Sequence, residues 1–204
     1  MFYTKRETIL CIFVTSMIAL CSHLGDRMLK HGSTPAMRAI FDNLTHATVG
    51  ALTWSLIIIL SRKSVVHNVF QIVSCFLVSS LIDLDHFLSA RSWRLSDATR
   101  LDKRPFLHCS TVPIFAWLVL IAISKMTSRP NLINHAWILL AAFFSHHIRD
   151  ASRKGMWFYP FGSTPPIPYY FYIFISMTLP FVIHWLMFTP MPLVEYDAMS
   201  IDIV

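Results

Sequence analysis

Six apolar runs dominate the sequence, at roughly 7–24, 43–60, 65–82, 106–124, 132–149 and 168–188, with short polar breaks between them. About 20 apolar residues of helix cross a bilayer core, and backbone polar groups inside lipid must be satisfied within the helix itself. A chain with this pattern is confined to an all-α, multi-pass transmembrane helical bundle, read as a single domain over 1–204. Composition agrees. Hydrophobic residues make up 55% and charged residues 14%, whereas a water-facing surface usually calls for about 25% charged.

The breaks have local causes. Gly32-Ser33-Thr34-Pro35 interrupts the chain after the first run, and Ser61-Arg62-Lys63-Ser64 makes a tight polar turn. Between Gly155 and Pro168 there are Pro160, Gly162, Pro165 and Pro166. These prolines remove donors and fix φ, which predicts an irregular loop. Trp157, Phe158, Tyr159, Tyr169 and Tyr170 bracket it as an interfacial aromatic belt would. The first run follows Lys5 and Arg6 as a signal peptide would, but its length reads as an uncleaved anchor helix.

Net charge is +6, and the basic residues lie in loops between apolar runs rather than on one face, which argues against a nucleic-acid partner. Loops one, three and five share one side of a six-span protein and carry 11 of the 17 basic residues. The positive-inside rule predicts that side to be cytosolic, with both termini opposite, although Lys5 and Arg6 favour the other orientation for the first helix. Cys11, Cys21, Cys75 and Cys109 sit in or beside apolar runs with no C-x-x-C pair and read as free thiols. Asn43-Leu44-Thr45 matches a glycosylation sequon beside a span and is expected to be unused.

Chemistry must come from the few polar residues at the span ends. Asp42 and His46 share a helical face at i, i+4; Asp83, Asp85 and His86 end the third run; His108 opens the fourth; His146 and Asp150 close the fifth at i, i+4. All four groups fall on the odd-loop side. Imidazoles and carboxylates converging at one depth suit a divalent cation, and zinc is the ion expected. Each residue taken singly also reads as an ordinary helix cap or interfacial side chain. No nucleophile elbow, P-loop, dinucleotide-binding glycine pattern or H-E-x-x-H is present.

The order Asp42…His46, Ile82-Asp83-Leu84-Asp85-His86, His108-Cys109-Ser110, Ser145-His146…Asp150, Gly155 and Tyr159-Pro160 resembles a bacterial family. It is the LexA-regulated, membrane-bound, predicted metal-dependent hydrolase family, with its D-I-D-H, H-R-G-x-T-H-S and S-H-x-x-x-D segments. The resemblance covers residues 42–165 and implies metal ligation or water positioning by His46, Asp83, Asp85, His86, His108, His146 and Asp150. Asp42, Lys103 and Ser110 stand beside these residues as supporting groups. Lys103, Pro105 and Leu107 replace the first His, the Gly and the Thr of the second segment, so one ligand position carries a cation instead. The chain as a whole resembles more closely the vertebrate transmembrane protein 267 family of multi-pass proteins.

Two functions follow as expectations. One is a membrane enzyme in which a metal supports hydrolysis of a lipid-like substrate. The other is a non-catalytic membrane protein that keeps the fold and a structural or degenerate metal site.

Overall fold

The computed structural model describes residues 3–189. It is a helical bundle: α1 Lys5–His31, α2 Pro35–Leu60, α3 Val69–Leu81, α4 Leu84–Ala90, α5 Leu95–Ala98, a 3-10 turn Phe106–His108, α6 Thr111–Thr127, α7 Asn131–Lys154 and α8 Tyr169–Phe188. The all-α expectation holds. In the proline-rich loop, read from the sequence as irregular, Trp157–Phe158 (β1) and Gly162–Ser163 (β2) pair as a two-residue antiparallel hairpin.

The helix boundaries follow capping chemistry. Thr4 and Glu7 close a reciprocal capping box, with Thr4 N donating to Glu7 at 2.7 Å and Glu7 N to Thr4 at 3.2 Å. The Thr34 hydroxyl accepts from Met37 N at 3.1 Å with Pro35 in the first turn, so α2 starts eight residues before the apolar run does. α7 stops at Gly155, whose φ is +70°. A side chain there would strain the backbone and strike the Thr164 carbonyl, so glycine is required.

The six apolar runs become six long helical stretches, α3 continuing through α4. Four of them are long and apolar enough to span a membrane: Lys5–His31, Pro35–Leu60, Val69–Ala90 and Tyr169–Phe188. α6 has 17 residues and is shorter. α7 has 24 residues but carries His135, His146, His147, Arg149 and Asp150. It packs against α2, α3, α6 and α8, and Ala136, Trp137, Ala141, Ala142, His146 and Arg149 are buried. A polar helix is thus shielded by more apolar ones, whose own outward faces carry lipid-suited side chains such as Ile12, Phe13, Phe174 and Trp185. Trp54, Ile58, Cys75, Trp137, Ala142, Tyr172 and Ile183 form the core between α2, α3, α7 and α8.

Gly50 sets how closely α2 approaches α3. A Cβ there would collide with the Ser79 side chain and sit 3.3 Å from the Cys75 carbonyl. Gly50→Val should lower the melting temperature in detergent, with an overpacking cost of about 1–3 kcal/mol; an unchanged melt would contradict this close approach.

All the helix ends that carry Asp and His lie together on the odd-loop side. Asp26 of α1 meets Tyr172 of α8, Asn43 of α2 meets Ser80 of α3, and the rings of His108 and His146 touch edge-to-face. At the other end Tyr3 donates to the Leu60 carbonyl at 3.0 Å. Arg149 turns inward to an ion pair with Asp26, which leaves ten basic residues in the odd loops against six elsewhere. A cysteine at the exposed Ser96 should therefore resist an impermeant thiol reagent in intact cells. Labelling before permeabilisation, for protein at the cell surface, would reverse the orientation.

Candidate metal centre

Four donor atoms converge between α3, α6 and α7. His108 Nε2 lies 3.2 Å from His146 Nε2, 3.5 Å from Asp83 Oδ1 and 3.4 Å from Asp150 Oδ2. His146 Nε2 lies 3.5 Å from Asp83 Oδ1 and 3.6 Å from Asp150 Oδ2. Two overlapping sets of three bring their donor atoms within 4.8 Å of one another: Asp83 with His108 and His146, and His46 with His146 and Asp150. Donors placed 2.0–2.2 Å from a common centre, as around zinc, have edges of about 3.3–3.6 Å.

Each of the four residues is held from behind. His146 Nδ1 lies 2.9 Å from the Ser79 carbonyl, and His108 Nδ1 lies 3.2 Å from Asp85 Oδ1. Both partners are acceptors, so in each neutral ring Nδ1 carries the proton and Nε2 presents its lone pair inward. Asp83 Oδ2 accepts from Asn43 Nδ2 at 3.2 Å, leaving Oδ1 for the centre. Asp150 Oδ1 faces Arg153 and lies 3.4 Å from His46 Nε2, leaving Oδ2. Two nitrogen lone pairs and two carboxylate oxygens then face one another, an arrangement that calls for positive charge between them. His108 reports the same demand from its turn ahead of α6. Burial alone would lower its pKa, but the hydrogen bonds it donates to the carboxylates of Asp150, Asp83 and Asp85 push it up.

The local fold explains the convergence. The helix breaks at Ile82–Asp83 and restarts at Leu84, so Asp83 sits in the break and Asp85 in the first turn of α4. His86 N donates to the Asp83 carbonyl at 3.2 Å across this restart. Asp85, 5% exposed, accepts from Leu107 N at 2.7 Å and thereby holds the turn that carries His108. It stands behind a ligand position. His86 lies on the outer side of His108, edge-to-face with ring centroids 4.7 Å apart, its Nδ1 3.1 Å from the Ala98 carbonyl.

His46 stacks on His146 with centroids 3.7 Å apart, but its Nε2 also lies 3.1 Å from Arg149 Nη1. A guanidinium at that distance competes with a metal for the same lone pair. The other predicted supporting groups take separate places. Asp42 pairs with Arg149 and Arg153. Ser110 contacts His147 Nδ1 at 3.1 Å, and His147 Nε2 donates to the Leu107 carbonyl at 2.9 Å, so both hold the 3-10 turn. Lys103 is exposed.

Residues not singled out from the sequence complete the site. Asn43, seen there only as part of a sequon, bonds Ser80 and Asp83. Arg149, counted among the loop cations, is fully buried and bridges Asp26 of α1 to Asp42 of α2. Asp26 in turn receives Tyr172.

Transmembrane protein 267 of Mus musculus is 39% identical over 153 residues, 74% of this chain and 70% of that protein. The chain belongs to the transmembrane protein 267 family. The Danio rerio relative is 37% identical with 74% and 68% covered, and that of Bos taurus 35% identical with 84% and 80% covered. The family name and the apolar helices together make this a multi-pass membrane protein. No family model matches the chain, which leaves the likeness to the bacterial hydrolases without support. No solved structure matches it either.

Proposed function

We propose that the odd-loop face of this bundle holds a divalent cation, zinc by the donor set, and that the centre serves hydrolysis of a lipid-like substrate. Asp83, His108, His146 and Asp150 would hold the ion. The observation that carries the reading is the set of five donor separations between 3.2 and 3.6 Å, with each residue's second polar atom engaged elsewhere. When bound, such an ion supplies Lewis acidity and acidifies water near neutral pH.

The chain's own groups support hydrolysis beside that centre. A cavity of about 20 Å³ is lined by His86, Arg104, His108 and Asp150, room for one water. His86, anchored at Nδ1, borders it and would exchange a proton with water there. Arg104 donates to the Gly155 carbonyl at 3.1 Å and fastens the loop that forms the outer wall. Location at the ends of the spans favours a substrate with an apolar tail.

A second reading, a structural ion in a non-catalytic protein, has its own support. Four protein donors would fill a tetrahedral shell, as in structural zinc sites, whereas catalytic sites keep a position open. The two separate in an assay of purified protein in mixed phospholipid vesicles, reading released fatty acid and released headgroup. Hydrolysis should be lost on chelation, restored by zinc, and reduced by about 10²–10⁴-fold in His86→Ala if that ring moves the proton. Zinc bound with no release of either product would leave the structural ion as the correct reading.

A further inference from the structure

A second concave region lies on the same membrane face, outside the metal centre. It measures about 370 Å³ and is lined by Asp26, Leu29 and Lys30 of α1, Ser152 and Arg153 of α7, and Tyr169 of α8. That volume falls in the range of ligand sites, about 300–1,000 Å³. We propose that this pocket binds the phosphate-bearing headgroup of a membrane lipid, a role that does not rest on the metal reading.

The charge arrangement carries the proposal. Lys30 is exposed at the end of α1 and Arg153 keeps 34% of its side chain exposed, so two cations from different helices reach one pocket. Arg153 is braced by Asp42 and Asp150, which orients its guanidinium without covering it. The acid in the lining is already engaged: Asp26 is bound by Arg149 at 3.0 Å and by the Tyr172 hydroxyl. A guanidinium and an ammonium together recognise phosphate through charge-assisted hydrogen bonds. Their place at the span ends is headgroup depth, where anionic lipids meet Lys and Arg.

The surroundings favour a lipid over free phosphate. α1 and α8 flank the pocket, and one or two turns along from it they turn apolar side chains outward. Leu20 is 47% exposed, Leu24 51%, Phe171 54% and Phe174 57%. Acyl chains attached to a headgroup in the pocket would lie against these faces.

The test measures melting temperature of the full chain in neutral detergent against three probes: dioctanoyl phosphatidylglycerol, dioctanoylglycerol, which lacks the phosphate, and inorganic phosphate. Phosphatidylglycerol should raise the melting temperature in a concentration-dependent way. The other two probes should not match it. Lys30→Gln should weaken the apparent affinity by about tenfold, as loss of one charge-assisted contact does. Lys30 is exposed, so this variant should melt like the wild type without lipid; Lys30→Glu provides a stronger change at the same place. An equal shift from dioctanoylglycerol or from inorganic phosphate would overturn the headgroup assignment. An undiminished shift in both Lys30 variants would overturn the site.

Discussion

Arg149→Met should lower the stability of the folded protein by about 3–5 kcal/mol, the usual result of removing one partner from a buried ion network. The Arg149 side chain is 1% exposed, contacts Asp26 at 3.0 Å, and pairs with Asp42. Met fills much of the same volume, so the loss comes from Asp26 left without its guanidinium partner and from Asp42 left with Arg153 alone. The measurement is thermal melting in detergent. Adding Asp26→Asn to Arg149→Met should recover part of the loss by removing the stranded charge. Arg153→Gln should cost less, because that side chain is 34% exposed and partly solvated. If Arg149→Met melted like the wild type, the network linking α1, α2 and α7 would not exist as described.

The second large effect is a ranking of metal affinities. His146→Ala removes a donor from the centre and should abolish tight zinc binding. Asp83→Asn keeps the shape but removes a ligating charge, and should come close to the same loss. Asp85→Asn should weaken zinc by only about 10–100-fold, the usual effect of changing a group that orients a ligand. Asp85 grips His108 Nδ1 and Leu107 N, while the atom facing the centre is His108 Nε2. Competition with a chromophoric chelator gives the three affinities on one scale. Equal losses in Asp85→Asn and Asp83→Asn would move Asp85 into the ligand set.

Much of the fold was legible in the sequence because its signals are local. Apolar runs of spanning length and the breaks at Gly32-Ser33-Thr34-Pro35 and between Gly155 and Pro168 each act within a few residues. The gathering of Asp42, Asp83, His108, His146 and Asp150 at one end also followed, since alternating spans bring odd loops to one side. What spacing alone does not give is rotation. Asp83 and Asp85 look equivalent two residues apart, but the break at Ile82–Asp83 turns one oxygen of Asp83 toward His146 and sends Asp85 behind His108.

The supporting groups were harder to see for a different reason. Ser79 acts through a backbone carbonyl, which leaves no mark in the residue type. Asn43, Asp26 and Arg149 matter only through residues 37, 146 and 123 positions away. Which helices become neighbours decides those contacts, and the Gly50 approach between α2 and α3 is one of the packing details that settles it. Lys103, which replaces a histidine of the bacterial pattern, is exposed.

The most direct test of the metal centre is elemental analysis of the purified full chain after equilibration with zinc and removal of loosely held ion. The account predicts roughly one zinc per chain, as one tetrahedral shell requires, and close to none in His146→Ala prepared alongside. A wild type that holds no zinc, or an equal content in the variant, would contradict it.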